Sequence, residues 1–159
     1  MRARAAVNTN QQLLVQRDNT YATPVYVDVA ASQPGVLQYG QQRAIAADVS
    51  GNLIGPSNPA HPGDVVVLYC LGLGAVSPPV PEGAAPPAGT LASVVNPVTV
   101  TVGGQAAAQL FAGLTPAFAG LYQVNFYVPA GTTAGDQVPV TLTVAGQTSG
   151  VVYLSVRTP

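Results

Sequence analysis

The side chains that could carry out acid–base or metal chemistry are few in this chain. The six acidic residues are Asp18, Asp28, Asp48, Asp64, Glu82 and Asp136. A glycosidase needs two carboxylates flanking one bond, and calcium needs about six to eight oxygens, usually from closely spaced Asp residues. The acids follow neither pattern, and Asp64 and Asp136 each follow a Gly before a strand, where Asp commonly serves a turn. We therefore predict no catalytic residue, no metal site and no cofactor.

The single Cys and the single His have surroundings that are typical of structural residues. Cys70 lies in the apolar run 65–71, where a free Cys is most often a buried core residue. His61 lies between Pro59 and Pro62 and is predicted to be an exposed loop residue. One His and one Cys exclude zinc sites built from several such ligands. The chain is therefore predicted not to be an enzyme.

Seven tyrosines remain as side chains with binding chemistry. A Tyr can bury its ring and keep its hydroxyl in water, so it can be structural or can stack on a sugar. Tyr122 and Tyr127 are predicted to lie on opposite faces of one strand by parity, and Tyr26 and Tyr153 occupy equivalent places in two similar hairpins. We name these four as candidate ligand or interface residues, and a purely structural role stays open for each.

The composition excludes several classes of partner. Only 7% of the residues are charged, the net charge is −1, and all five cations are Arg. Nucleic-acid binding depends on clustered cations, so no nucleic-acid partner is predicted. No run approaches the 18 or so apolar residues of a membrane span. The 17 Gly and 15 Pro argue against a helical bundle, because both residue types break helices.

The hydrophobic pattern is that of β-strands. Val25, Val27 and Val29 alternate with Tyr26 and Asp28, as in a half-buried antiparallel strand. The same alternation recurs in residues 98–102, 138–144 and 152–156. The run 65–71 is apolar throughout and predicts a central strand covered on both faces, with Val65, Val67 and Tyr69 in the core and a cost of about 2 kcal/mol for Val67→Ala. About ten strands and no helix predict an antiparallel sandwich or barrel.

Two segments mark the domain organisation. Residues 1–30 contain a strand, a polar turn and a second strand, which is the pattern that closes the chain at 143–156; they are predicted to be an extra hairpin resembling the end of a preceding β domain. Residues 31–159 are predicted to form the sandwich, with a Pro-rich loop at 74–97 that does not form strands. A lone hairpin is marginal in water, so we expect it to dock on its own sandwich or on a neighbouring copy. Docking on a neighbouring copy would give a homo-oligomer or filament.

Several strings resemble the Solibacter uncharacterised C-terminal domain, a family of modules in large exported proteins of Acidobacteria. The matching residues are 33–37, 58–69, 72–74, 111–114, 116, 120–125, 128–129 and 140–144, and the string Gly-Leu-Tyr-Gln-Val-Asn at 120–125 is the most specific of them. The resemblance implies an immunoglobulin-like β-sandwich and export from the cell. It brings no established catalytic residues.

These observations predict a non-catalytic extracellular or cell-surface module that acts as a spacer, adhesion or self-assembly unit of a larger exported protein. The basic start of the chain lacks the apolar stretch of a signal peptide, so the chain is either cytoplasmic or a piece of an exported protein, and its low charge favours the second. The alternative function is a carbohydrate-binding module of a secreted enzyme, with polysaccharide as its partner.

Overall fold

Every regular element of this protein is a β-strand in the part that the computed structural model describes, residues 8–87 and 89–158. The strands are β1 (Asn8–Leu13), β2 (Gln16–Arg17), β3 (Thr20–Tyr21), β4 (Val25–Val29), β5 (Gly35–Val36), β6 (Gln38–Tyr39), β7 (Arg43–Ala44), β8 (Ala46–Ala47), β9 (Val65–Leu71), β10 (Val76–Ser77), β11 (Ser93–Val94), β12 (Val98–Val102), β13 (Gln105–Ala107), β14 (Gln109–Leu114), β15 (Tyr122–Tyr127), β16 (Gly135–Val144), β17 (Gln147–Thr148) and β18 (Val152–Val156). The predicted all-β class is confirmed. Among these residues there is no helix that is long and apolar enough to cross a membrane.

The chain divides into two compact units, Met1–Ala31 and Ser32–Pro159. The first unit contains one long β-hairpin, in which β1 pairs with β4 and β2 pairs with β3. Its two-residue turn begins at Asp18, whose φ is +53°, a conformation that Asp tolerates better than most residues. The predicted hairpin is therefore confirmed, and none of residues 11–31 is buried.

The second unit is a sandwich of two sheets. The first sheet has the order β10-β11-β14-β15-β9-β5, with β8 also on β9, and the second has the order β13-β12-β16-β18-β7-β6, with β17 also on β16. All neighbours are antiparallel except β7 and β18. Four strands of the first sheet (β5, β9, β15, β14) follow the A-B-E-D order of immunoglobulin domains, and three of the second (β12, β16, β18) follow the C-F-G order. The predicted β-sandwich is confirmed.

The core lies between the two sheets and is aliphatic. The first sheet contributes alternate residues of β9 and β15, and the second contributes alternate residues of β12, β16 and β18; the most deeply buried large side chains are Phe126, Leu68, Leu142, Leu154 and Leu73. Burying one side chain of this size stabilises the fold by about 1.5–3 kcal/mol.

Strand β9 corrects one prediction. Val66, Leu68 and Cys70 are fully buried, whereas Val65 and Val67 are only half-buried. The strand is covered by the opposite sheet on one face only, and the residues expected in the core are on the other face. The prediction was wrong in parity because a run that is apolar at every position does not indicate which of its two faces is inward.

The Pro-rich connection corrects a second prediction. Residues 74–97 do contain paired strands, since β10 pairs with β11 and Ser93 of β11 pairs with Gly113 of β14. The described residues of the Pro-rich segment between these two strands form no β-strand. These two short strands extend the first sheet beyond β14.

The outermost strands of both sheets are short. At the ends of the two sheets, β5, β6 and β10 have two residues each and β13 has three. Short edge strands present few unpaired backbone groups to another chain. The sandwich therefore has little edge that a second sheet could extend.

Candidate functional site

The outer face of the first sheet combines aromatic and amide side chains. On β15, Tyr122, Val124 and Phe126 point inward, and the alternate residues Gln123, Asn125 and Tyr127 therefore lie on the outer face. On the two neighbouring strands, the outward positions include Tyr69 of β9 and Phe111 of β14. The set Tyr69, Phe111, Gln123, Asn125 and Tyr127 is called the aromatic–amide face below.

The register of three strands brings these residues into rows. Gln123 is paired with Tyr69 on one side and Gly113 on the other, and the next row places Asn125 beside Phe111. Because neighbouring strands are about 4.8 Å apart, each row of three spans about 10 Å. The rows are contiguous, so the five residues form one surface.

Gly113 makes room for the Phe111 ring. A Cβ atom at position 113 would collide with Phe111 Cζ and with the carbonyl oxygen of Ala92. Without that atom, the ring extends from its own row into the row of Gln123. Two aromatic rings, those of Tyr69 and Phe111, therefore flank the Gln123 amide.

The polar groups of the face are neutral and only partly paired. Gln123 Nε2 donates a hydrogen bond to Asn125 Oδ1 at 3.2 Å, and in the described part of the chain this is the one side-chain hydrogen bond that either amide makes. Gln123 Oε1 and Asn125 Nδ2 therefore keep an acceptor and two donors for another molecule. Both side chains are half-buried, which restricts their orientations.

Of the four predicted tyrosines, one belongs to this face. Tyr127 is 41% exposed there. Tyr122 points inward, its hydroxyl donates to the carbonyl of Gly74, and burial, followed by its proximity to Cys70, raises its pKa. Tyr153 is half-buried on the second sheet, paired with Arg43 of β7. Tyr26 belongs to the hairpin unit and is 67% exposed. The structure thus does not bring the four together.

Sequence reasoning missed the other four members of the face. A signal for two of them was present, because Gln123 and Asn125 alternate with buried residues in the same segment whose parity separated Tyr122 from Tyr127. Tyr69 lies far away in sequence, and only the strand order places it beside the amides, so no local pattern could have identified it. Phe111 belongs to β14, the strand that directly precedes β15 and pairs with it.

Three of the acids, Asp48, Asp64 and Asp136, and the single His are used in turns or in a surface ion pair. The Asp48 carboxylate accepts hydrogen bonds from Asn52, from the backbone N–H of Ser50 and from Asn58. These bonds, those from Asn52 above all, hold its pKa below its usual value. Asp64 Oδ2 accepts from the backbone N–H of His61 at 2.8 Å, so Asp64 has the turn role that was predicted for it.

Asp136 was predicted to serve a turn, but its carboxylate forms an ion pair with Arg157. The distance between Asp136 Oδ1 and Arg157 Nη2 is 2.8 Å. In residues 8–87 and 89–158, no three His, Cys, Asp or Glu side chains come together in a group that could hold a metal ion.

Cys70 is a core residue, as predicted. Its side chain is fully buried, and burial raises its pKa to about 12. The nucleophilic form of Cys is the thiolate, so this group stays protonated and unreactive near neutral pH.

The hairpin unit presents a different kind of surface. Its exposed apolar side chains include Leu14, Val15 and Val25, along with two tyrosines. Within the described residues, β1 and β4 pair only with each other. Each of these strands has five or six residues, so each offers a long outer edge of unpaired backbone groups.

Comparison of the chain with protein-family models, with curated proteins and with solved structures finds no match.

Proposed function

We propose that this chain is a non-catalytic module of a larger exported bacterial protein, located outside the cell or at its surface, and that it acts as a spacer that self-assembles through its N-terminal hairpin. Export is supported by the resemblance to exported acidobacterial modules and by the low charge of the chain. The role as a spacer is supported by the sandwich, which has its own core. The partner is the hairpin of a second copy.

The observation that carries this proposal is a hairpin whose described strands β1 and β4 pair only with each other, and in which none of residues 11–31 is buried. Two-stranded hairpins are at best marginally stable in water, and a third strand is normally needed. A strand added to β4 or β1 would pair the free N–H and C=O groups and cover apolar side chains such as Val25 and Leu14. Edge strands are usually protected by Lys or Pro; this chain has no Lys, and its one Pro near this edge, Pro24, precedes β4.

The symmetry of the pairing decides the product. If β4 of one copy pairs with β4 of the other, the contact is isologous and stops at a dimer. If β4 pairs with β1, the contact is heterologous and continues into a filament. Both products share the same dependence on the β4 edge.

The test is the molar mass of the full chain by light scattering over a range of concentrations. We expect a mass of at least twice that of the monomer, rising with concentration. The double substitution Val25→Lys and Tyr26→Lys places a charge on each face of β4 and should return the chain to monomer.

The matched control is Thr99→Lys with Gln147→Lys, which adds the same charge at exposed positions of the sandwich and should not change the mass. A wild-type chain that is monomeric at every concentration would overturn the proposal. Equal loss of assembly in the control and the β4 variant would also overturn it.

A further inference from the structure

We propose that the aromatic–amide face binds a neutral polysaccharide chain. This inference concerns the sandwich alone and does not depend on assembly through the hairpin. It assigns a ligand class to a surface made of Tyr69, Phe111, Gln123, Asn125 and Tyr127.

The first step of the argument is the spacing of the rings. Tyr69 and Phe111 flank Gln123 across a row that spans about 10 Å, so either ring can contact a sugar unit that lies over Gln123. The face of an aromatic ring carries partial negative charge, and the C–H bonds on the flat side of a pyranose carry partial positive charge. Each ring can therefore hold one sugar unit by its apolar side.

The second step is the position of the amides. Gln123 and Asn125 lie between and beside the rings, and their carbonyl and N–H groups can accept from and donate to sugar hydroxyls. Their mutual hydrogen bond of 3.2 Å and their partial burial limit their freedom before a ligand arrives. Less side-chain entropy is then lost on binding.

The third step extends the site along β15. Residues two apart on a strand are about 7 Å apart. Tyr127 is four residues after Gln123 on β15, so it lies about 14 Å farther along the same face. Its ring is 41% exposed. A chain of several sugar units lying along the sheet can reach it, which favours an extended polymer over a monosaccharide.

The fourth step is charge. The outward positions of β9, β14 and β15 hold no charged side chain: they are Val65, Val67, Tyr69, Leu71, Phe111, Gly113, Gln123, Asn125 and Tyr127. A neutral surface matches a neutral glycan, because burying the charges of an acidic polymer here would leave them without a counter-charge.

The experiment measures retention of the full chain on neutral polysaccharides. The probes are insoluble cellulose and chitin in pull-downs, and soluble xylan, glucomannan and mixed-linkage β-glucan in affinity gels, with dextran sulfate as the charged comparison. We expect retention by at least one neutral polymer and none by dextran sulfate. Tyr127→Ala and Gln123→Ala should each weaken binding by about tenfold, because the first removes a stacking ring and the second removes hydrogen-bonding groups of the face.

The matched control is Tyr153→Ala, a half-buried Tyr on the opposite sheet, which should bind as the wild type does. The melting temperatures of all variants are to be measured as well, so that a loss of binding can be distinguished from unfolding. The variant Val25→Lys, Tyr26→Lys should bind as strongly as the wild type, so a failure of assembly and a failure of glycan binding are separable. No retention by any neutral polymer, equal retention by dextran sulfate, or equal weakening by Tyr153→Ala would each overturn the inference.

Discussion

The N-terminal hairpin and the β-sandwich are made of similar residues but differ in what they bury. Strand β4 of the hairpin and strand β12 of the sandwich, for example, each have Val at every second position. In the sandwich, two such faces meet and leave side chains such as Leu68 and Phe126 fully buried. In the hairpin, the corresponding positions Val25 and Val27 remain exposed or half-buried. Alternation therefore specifies a strand with one apolar face, and the presence of a second face decides whether that strand contributes to stability.

The largest expected difference between the two regions is in amide hydrogen exchange. Amides of β9 and β15 should exchange only through global opening, whose free energy for a domain is about 5–15 kcal/mol. Amides of the hairpin should show almost no protection in dilute solution. Exchange monitored by mass spectrometry on peptides from both regions measures this. Hairpin protection equal to that of β9 at the lowest concentration would contradict the distinction, and protection that rises with concentration is expected of the proposed assembly.

A second test compares two leucines. Leu68→Ala removes a fully buried side chain and should lower the free energy of unfolding by about 2–5 kcal/mol. Leu14→Ala in the hairpin removes a side chain that is 47% exposed and should change it by less than about 0.5 kcal/mol. Denaturant melts measure both. Similar losses at the two positions would mean that the hairpin shares the sandwich core.

A third test examines where the ordered sandwich begins. Gly72 has a φ of +73°, and a Cβ atom there would collide with the backbone carbonyl of Gln33, whose N–H donates to Gly72 O at 2.8 Å. Gly72→Ala should therefore cost about 1–3 kcal/mol. Gly35→Ala is the matched control, because nothing lies near its missing Cβ, and it should be nearly neutral. A neutral Gly72→Ala in thermal melts would show that residue 33 is not held against the end of β9.

The smallest expected effect is a change of melting temperature with pH that arises from Asp48 in the sandwich. Hydrogen bonds lower the pKa of Asp48 in the folded state below its usual value of 3.8. A group with a depressed folded pKa stabilises the fold above its unfolded pKa, and this contribution is lost as the pH falls through the folded value. The melting temperature should therefore fall below about pH 4, and less steeply in Asp48→Asn. Identical slopes for the two proteins would contradict this role of Asp48.

The local pattern predicted the bounds of strands well where polar residues alternate with apolar ones. The strands β12 and β18 have the predicted bounds, because Thr, Tyr and Ser alternate there with buried aliphatic residues. Gly103 and Gly104 form the turn between β12 and β13, and both have positive φ. The pattern failed at β9, where every residue is apolar, and at β10 and β11, which pair despite the Pro-rich segment between them.

The aromatic–amide face shows the limit of such reasoning most directly. The parity of β15 separates Gln123, Asn125 and Tyr127 from the core and could be derived from that segment alone. The contribution of Tyr69 and Phe111 depends on which strands lie on either side of β15. For Phe111 the neighbouring strand is the preceding one in the chain, whereas the pairing of Tyr69 with Gln123 joins residues more than 50 positions apart.

The amino-acid sequence by itself determined the all-β class, the N-terminal hairpin and the scarcity of reactive side chains, because these depend on residue type and on spacing within one segment. The tertiary structure alone decided which face of β9 is inward, which strands lie at the edges of each sheet and which side chains share a surface. These features depend on register between distant strands, and a shift of one residue would exchange the inner and outer faces.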